Sequence, residues 1–415
     1  MSRECDLDST VTEFLLDTCQ PCPPSRYNVH AALVCGMITA PFDGECSITA
    51  IPTGSVPEFC IEPMLPYIGD IDVMWHRNDQ LAIPRGHPPP TQLPAEFHSY
   101  VHVYEIVDSH VPGYVYLPIR YLLSQCSNDD NYNAVEYYDR EKYLQNDRSK
   151  HSYGFHGPAL FLHPRDESLG LSDQDLVRCV RCLSWPAQAA DWRTRHKNYG
   201  WPDSATLDRV VSNGCDVVGV AHRQCRQHEW IFQAQWRLSF SRAEIVLINS
   251  WMPIQQTVYH MLRYFTKTER LTENADNIAA GPLSNYHIKT LMLWCCEMKS
   301  GNWWTDDVKL VRICVHLLHI LGEWLTHPHP RCPHYFIDKC NLIDNSFNMA
   351  NVADQLMKID KTWLSAWFTD NYVRKCLQLN DCPQNVSRLF ADATSSMELK
   401  NALVAWKQKR SLVNR

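Results

Sequence analysis

Glycine is scarce in this sequence, and its scarcity narrows the possible architectures. Only 15 of the 415 residues are glycine, whereas hydrophobic residues make up 45% of the chain and charged residues 20%. So little glycine argues against a disordered chain and against repeats joined by tight turns. The length and the apolar content instead suit one large two-lobed unit or two packed domains with a sizeable core.

Long apolar runs are missing as well. The first residues, MSRECDLDSTVTEF, carry acids where a signal peptide needs an apolar core. The most apolar stretch, residues 310–325, is interrupted by Arg312, His316, His319 and Glu323, so we expect no membrane span there. We therefore expect a cytoplasmic protein whose 18 cysteines stay reduced.

An excess of basic charge is also absent. The formal net charge is −7, so the chain as a whole does not resemble a basic nucleic-acid binder, although a local basic face would suffice for binding. The two segments that come nearest are 193–197 (RTRHK) and 407–410 (KQKR). A solvated surface explains either segment equally well.

The spacing of apolar residues divides the chain into two parts. The first part is mixed, with helices expected at 11–18 and 27–39, and strands at 68–75, 101–107, 111–116, 176–182, 214–221 and 231–240. A proline-rich loop is expected at 84–94 and a long polar surface excursion at 128–156. Helical spacing then dominates at 254–266, 286–298, 305–324, 352–368 and 397–410. We therefore predict an α+β domain over residues 1–245 and a helical lobe over 246–415.

A short turn and a pair of aspartates give the sharpest chemical signal. Thr53-Gly54-Ser55 precedes Asp70-Ile71-Asp72, and two aspartates two residues apart on a strand project from the same face. Like charges this close favour a bound cation, and carboxylates bind Mg²⁺ together with substrate phosphates. Glycine lets the backbone approach a triphosphate, and the Ser55 hydroxyl and amide can donate to its oxygens. On spacing alone, a solvated strand and an ordinary turn explain the same residues.

Further blocks give this signal a context. They are GDIDVM at 69–74, LVRCVRCLSWP at 176–186, AQAADWRTRHKNYGWP at 187–202, QWRLSFSRAE at 235–244, LSNYHIKTLML at 283–293 and HYFIDKCNL at 334–342. Taken in order with the Thr-Gly-Ser turn, they resemble cyclic GMP-AMP synthase and its animal relatives, the cyclic GMP-AMP synthase-like receptors of the Mab-21 family. The resemblance covers roughly residues 50–345. It implies a nucleotidyltransferase fold, a mixed sheet cradled by helices, with a helical C-terminal lobe across a central cleft.

The resemblance also implies roles for particular residues. Asp70, Asp72 and Asp175 would form the catalytic, metal-binding triad, with Asp173 and Asp216 open as alternatives for the third carboxylate. The residues implied in nucleotide binding are Gly54 and Ser55 at the triphosphate, Arg237 at phosphate, Ser239 and Ser241 in the cleft, Arg263 where the family often has lysine, and Tyr286 stacked on a base. His287 and Lys289 are expected to hold their helix in place.

The function implied is synthesis of a cyclic dinucleotide second messenger from ATP, GTP or other nucleoside triphosphates, with Mg²⁺ or Mn²⁺ as cofactor. Double-stranded RNA or DNA would be the activator, in innate immune sensing, although the N-terminal region lacks the long basic helix of the DNA-sensing relative. Two alternatives stay open. One is a catalytically inactive Mab-21-like interaction or scaffold protein, and the other is a transferase that extends an RNA end.

A structural zinc is not expected. In the DNA-sensing relative a zinc loop follows the segment that matches WRLSFSRAE, and a structural zinc needs four grouped cysteine or histidine ligands. The corresponding stretch here, 245–260, contains one histidine and no cysteine. This difference favours RNA or another ligand over DNA as the activator.

Overall fold

The computed structural model describes residues 7–19, 21–22, 47–54, 58, 60–61, 71–127, 129–137, 142–146, 155–156, 159–162, 174–225, 227–269, 271, 283–305, 310–326, 330–343, 349–379 and 396–413. Thirteen strands occur in these ranges. They are β1 (Pro21–Cys22), β2 (Ile48–Thr53), β3 (Cys60–Ile61), β4 (Ile71–Pro84), β5 (Tyr100–Asp108), β6 (Tyr114–Tyr116), β7 (Ile119–Gln125), β8 (Tyr132–Glu136), β9 (Phe155–His156), β10 (Ala159–Leu162), β11 (Gln174–Cys182), β12 (Cys215–Val218) and β13 (Gln235–Ser239).

Helices flank the strands and dominate the second half of the chain. In the described ranges they are α1 (Leu7–Thr18), α2 (Ala190–Thr194), α3 (Ser204–Ser212), α4 (Glu229–Ala234), α5 (Ser241–Asn249), α6 (Pro253–Thr268), α7 (Asn285–Met298), α8 (Gly301–Thr305), α9 (Leu310–Thr326), α10 (Ala350–Met357), α11 (Lys361–Phe368), α12 (Arg374–Leu379) and α13 (Ser396–Val413). A π-helical turn, Thr369–Val373, joins α11 to α12. None of these helices combines the length and the apolar character needed to cross a membrane.

One mixed sheet organises the first half of the chain. Its strands follow the order β2-β4-β11-β12-β13-β6-β5-β7-β8, and β9 and β10 extend it beside β11. β4 runs parallel to β11 and antiparallel to β2, while its last residues also pair with β5. The long strand β4 therefore contacts three neighbours, and its first residues lie between β2 and β11.

Local sequence explains where several helices begin. Pro253 occupies the first turn of α6, where its missing N–H is not needed. The Asp203 carboxylate caps α3 by accepting the Thr206 amide at 2.7 Å. Asp360 caps α11 in the same way through the Trp363 amide at 2.8 Å. Aspartate at these positions satisfies backbone donors that a helix leaves open at its start.

A shared core joins the sheet to the helices. The largest buried cluster contains strand residues such as Val180, Val217 and Trp236 together with side chains of α6, α7, α9 and α11. Helix α1 packs against α9, α11 and α13, so the first described helix lies with the last ones. The predicted domain boundary at residue 245 falls inside α5, and it stays a prediction.

The expected mixture of strands followed by helices is confirmed, with local corrections. The strand expected at 231–240 is half wrong, because residues 229–234 form α4 and only 235–239 form β13. The single helix expected at 352–368 is two helices, since Asp360 starts a new one. The excursion expected at 128–156 includes β8, which pairs with β7 at the edge of the sheet. The helix expected at 27–39 lies outside the described residues.

Candidate functional site

A cavity of about 620 Å³ lies against one end of the sheet. One side is formed by residues of β2, β4, β11 and β13 and the other by α5, α6, α7 and the segment 334–342. We call Gly54, Asp72, Asp175, Arg237 and Ser239 the strand wall. We call Glu58, Glu244, Arg263, Tyr286 and Lys289 the helical wall. Every predicted site residue that the structure describes, including Ser241, lines this cavity.

Two carboxylates lie side by side on the strand wall. Asp72 on β4 and Asp175 on β11 are register partners in a parallel pair. Partners on neighbouring strands are about 4.8 Å apart and point to the same face. Both side chains are half-buried, so the pair concentrates negative charge at the cavity surface. Asp70, Ser55 and Asp173 lie outside the described residues.

The turn at Gly54 is shaped around Asp72. Thr53 pairs with Asp72 across β2 and β4, and Gly54 follows with a φ of 66°. A Cβ on Gly54 would lie 1.8 Å from Oδ2 of Asp72. Only glycine allows this approach, and only glycine adopts this φ readily. The predicted turn and one predicted carboxylate are therefore in direct contact.

The described carboxylates fit a hard divalent cation. Aspartate oxygens are the ligands that Mg²⁺ and Mn²⁺ use, and Mg²⁺ sites commonly combine one or two carboxylates with substrate phosphates. No group of three or more histidine, cysteine, aspartate or glutamate side chains suited to a metal occurs within the described ranges. Since Asp70 is not among them, the predicted triad stays a prediction, as does the expected lack of zinc.

Arg237 supplies positive charge on the same wall. It lies on β13, exposed to the cavity, two residues before Ser239. The Oγ atoms of Ser239 and Ser241 are 3.2 Å apart. The cavity lining thus combines a guanidinium and two hydroxyls, which can bind phosphate oxygens, with two carboxylates, which can bind a metal ion.

His334 fixes the orientation of Tyr286. Its Nδ1 accepts the amides of Phe336 and Ile337, each at 3.1 Å, so its proton lies on Nε2, 3.3 Å from the Tyr286 hydroxyl. Burial, aided by the charge of Arg237, lowers the pKa of His334 to about 3. Burial also raises the pKa of Tyr286 well above its usual range. The ring of Tyr286 is thus a neutral, anchored surface on the cavity, as base stacking would need.

Lys289 was expected to hold its helix in place, but its contacts reach further. Its ammonium lies 2.9 Å from Oε2 of Glu244 on α5 and also contacts the Glu58 carboxylate. His287 does support the start of α7, because its Nδ1 accepts the Ser284 amide at 2.8 Å. No pattern in the sequence indicates Glu58, since no spacing rule connects residue 58 with residue 289.

Asp216 has a different environment from Asp175. Its side chain is fully buried, its Oδ2 lies 2.8 Å from Nε of Arg242, and Arg181 is 4.0 Å from its Oδ1. Asp216 is not part of the cavity lining, whereas Asp175 is. This geometry favours Asp175 over Asp216 as the partner of Asp72.

The basic segment 193–197 is partly used by internal contacts. Arg195 makes a two-pronged contact with Glu297, at 2.9 and 2.8 Å, and Lys197 lies 3.6 Å from the same carboxylate. Among the basic side chains of this segment, only Arg193 and His196 are exposed and able to form part of a binding surface. The other basic segment, 407–410, lies on α13.

Comparisons with known proteins agree with this architecture. The Mab-21 protein nucleotidyltransferase domain matches residues 119–250, and the Mab-21 protein HhH/H2TH-like domain matches residues 254–361. A protein mab-21-like from Aedes aegypti is 25% identical over 163 residues, 38% of this chain and 40% of the relative. A protein mab-21-like from Drosophila melanogaster is 25% identical over 188 residues, 44% and 48% of the two chains. Each match thus covers less than half of the relative's length.

The two matched domains contain most of the cavity residues. Asp175, Arg237 and Ser239 fall in the first, and Arg263 and Tyr286 in the second. Gly54 and Asp72 precede both matches, and they join the site through the pairing of β2 and β4 with β11.

Proposed function

We propose that this chain, which carries the nucleotidyltransferase and helical C-terminal domains of Mab-21 proteins, joins two nucleoside triphosphates into a cyclic dinucleotide. The observation that carries the proposal is the pairing of Asp72 with Asp175 beside the Gly54 turn, on a cavity wall that also carries Arg237. The cavity volume of about 620 Å³ falls within the range of small-molecule sites.

The strand wall would position the reacting groups. Arg237 holds the phosphates of the donor nucleotide, and the close approach of the Gly54 backbone leaves room for them beside Asp72. Asp70, Asp72 and Asp175 would hold Mg²⁺ or Mn²⁺, which would neutralise phosphate charge and stabilise the attacking and leaving oxygens.

The reaction consists of two similar transfers. A ribose hydroxyl oxygen of one nucleotide bonds to the α-phosphorus of the other, and the bond from that phosphorus to the pyrophosphate oxygen breaks. The hydroxyl proton passes to one of the paired carboxylates. In the second transfer a ribose hydroxyl of the second nucleotide bonds to the α-phosphorus of the first, and the bond from that phosphorus to its pyrophosphate breaks. The hydroxyl proton again passes to a carboxylate, and the ring closes. The chain contributes positioning and charge complementarity.

Tyr286 and Arg263 would bind the substrates from the helical wall. The Tyr286 ring is held by His334 and presents a face for base stacking, which is worth about 1–3 kcal/mol per base. Arg263 is almost fully buried on α6 and lines the cavity. Its guanidinium would therefore attract the negative charge of the substrate from within the cavity wall. Double-stranded RNA, a related nucleic acid or another ligand would activate the enzyme in the cytoplasm as part of innate immune sensing.

Product analysis tests this function directly. The purified protein is incubated with all four nucleoside triphosphates, Mg²⁺ or Mn²⁺, and a panel of double-stranded RNA and DNA, and products are identified by mass spectrometry. We expect a cyclic dinucleotide and pyrophosphate in at least one condition. Linear RNA extension instead would assign the site to end addition. The absence of any nucleotidyl transfer, with the protein folded, would favour a non-catalytic interaction protein.

A further inference from the structure

Four charged side chains meet on the helical wall. Glu58 and Glu244 are acids and Arg263 and Lys289 are bases, so the group has no net formal charge. All four are largely buried: the side chains of Glu58, Glu244 and Lys289 are 2%, 3% and 12% exposed. They come from four segments: the stretch after the Gly54 turn, α5, α6 and α7.

Such a cluster is a poor way to obtain stability. Removing charges from water costs several kcal/mol per ion. A protein with apolar side chains of similar volume in place of a buried ion pair is often equally stable or more stable. A buried charge network that lines a cavity is therefore a candidate for a functional role.

The contacts of Lys289 show which segments the cluster connects. Its ammonium contacts Glu244 at 2.9 Å and also Glu58. Burial alone would lower the pKa of Lys289, but Glu244 and Glu58 outweigh it and raise that pKa well above its usual range. The ammonium thus stays charged and bridges two carboxylates from distant parts of the chain.

Glu58 is the one residue of the four that lies close to the Gly54 turn in the sequence. It follows Gly54 by four residues, a stretch that spans at most about 14 Å. Fixing Glu58 therefore restricts where the Gly54 turn can lie, and Gly54 contacts the carboxylate of Asp72. Movement of α5 and α7 would be transmitted to Glu58, and so to the turn, through the Lys289 ammonium.

Resting on the proposed function, we propose that Lys289 is a positioning residue: it ties Glu58 to Glu244 and so holds the Gly54 turn and Asp72 in register with the helical wall. Lys289 acts through these carboxylates and does not need to touch substrate. A misplacement of about 1 Å can cost a factor of about 100 in rate, so loss of the tie should lower kcat more than it raises KM.

The experiment compares Lys289→Met with Lys289→Arg, the double variant Glu58→Gln/Lys289→Met and the control Lys197→Met. Lys197 is a suitable control because it also forms a buried ion pair, with Glu297, but away from this cavity. Thermal unfolding, kcat and KM for the triphosphates, and hydrogen exchange of residues 47–54 are measured for each, at temperatures well below the unfolding midpoint.

We expect Lys289→Met to lose roughly 10- to 100-fold in kcat with KM changed less than about threefold, and to exchange faster at 47–54. The double variant should recover stability but not kcat, Lys289→Arg should recover part of the kcat, and Lys197→Met should lose stability while keeping kcat.

Recovery of kcat together with stability in the double variant would overturn the proposal, as would unchanged exchange at 47–54. If Lys289→Met does not fold, the kcat and the exchange rates of the double variant and of Lys289→Arg test the proposal instead. If the wild-type protein makes no product, the proposed function fails, and the exchange measurement still decides whether Lys289 holds the turn.

Discussion

The strand wall and the helical wall of the cavity differ in how their polar groups come together. On the strand wall, Asp72 and Asp175 meet because two parallel strands pair in one register. On the helical wall, Glu58, Glu244 and Lys289 meet because a turn and two helices pack, with no shared secondary structure. The first arrangement follows from backbone hydrogen bonds and the second from buried ion pairs. Substitutions on the strand wall should therefore affect chemistry with little change in stability. Substitutions in buried ion pairs that do not line the cavity should show the reverse, and those at Lys289 should affect both.

Asp72→Asn should have the largest effect on activity. It removes one of two adjacent carboxylates, so product formation should fall below detection. Stability should change little, because the loss relieves repulsion between like charges. Product assays and thermal unfolding check this, and we expect the unfolding midpoint to stay within a few degrees of the wild type. Substantial remaining synthesis would contradict a role of Asp72 in metal binding.

Gly54→Ala should have the second largest effect on activity. Its Cβ would lie 1.8 Å from Oδ2 of Asp72, and alanine at a φ of 66° costs about 1–2 kcal/mol. The carboxylate must move, so we expect kcat to fall by about 100-fold. Gly86→Ala is a matched control, because Gly86 also has a positive φ, 76°, but nothing lies near its Cβ position. Equal activity of the two variants would show that the contact with Asp72 does not matter.

Asp216→Asn should have the opposite profile. It leaves Arg242 and Arg181 without their buried carboxylate, so we expect the free energy of unfolding to fall by about 3 kcal/mol. Activity per folded molecule should persist, because Asp216 does not line the cavity. Denaturant unfolding and product assays on the same preparations check this. Full stability with no activity would instead mark Asp216 as the third catalytic carboxylate.

His334→Gln should have the smallest effect that we predict on stability, a change in its pH dependence in acid. The folded protein keeps His334 neutral down to a pKa of about 3, while an unfolded histidine takes up a proton near 6.5. Between these values the unfolded state holds one more proton, so stability falls as pH falls, by up to about 1.4 kcal/mol per pH unit.

In His334→Gln the slope of the free energy of unfolding against pH should decrease, by the amount that corresponds to nearly one bound proton. His260, buried in the helices with a pKa also lowered to about 3, should give a similar change in His260→Gln. Unfolding free energies between pH 4 and pH 7, a range chosen to lie roughly between the two pKa values, test both variants. An unchanged slope in His334→Gln would show that its ring is protonated in the folded state.

Much of the architecture could be predicted from local patterns. The mixed first part, the helical second part and the boundaries of β5, β11, α6 and α7 follow from apolar spacing, which depends on neighbours along the chain. The errors occur where a short segment has two possible structures. Residues 229–234 carry apolar side chains compatible with a strand, and they form α4 immediately before β13.

The candidate site divides in the same way. The Thr-Gly-Ser turn, the aspartates and the blocks around Arg237 and Tyr286 were visible in the sequence because each is a contiguous pattern. The sequence left Asp173 and Asp216 as alternatives to Asp175, because the register of the block before Trp185 was uncertain. Asp173 lies outside the described residues, and the register of β11 with β4 and the two arginines around Asp216 distinguish Asp175 from Asp216.

The sequence by itself determined most of the strands and helices and which chemical groups were available, because those properties are encoded largely within a few residues of each position. The tertiary structure alone decided which groups meet. It placed Asp72 beside Asp175, brought Gly54 against the Asp72 carboxylate and joined Glu58 to Lys289. Contacts between residues so far apart in the chain arise from sheet register and helix packing, which depend on the whole core at once and leave no local pattern.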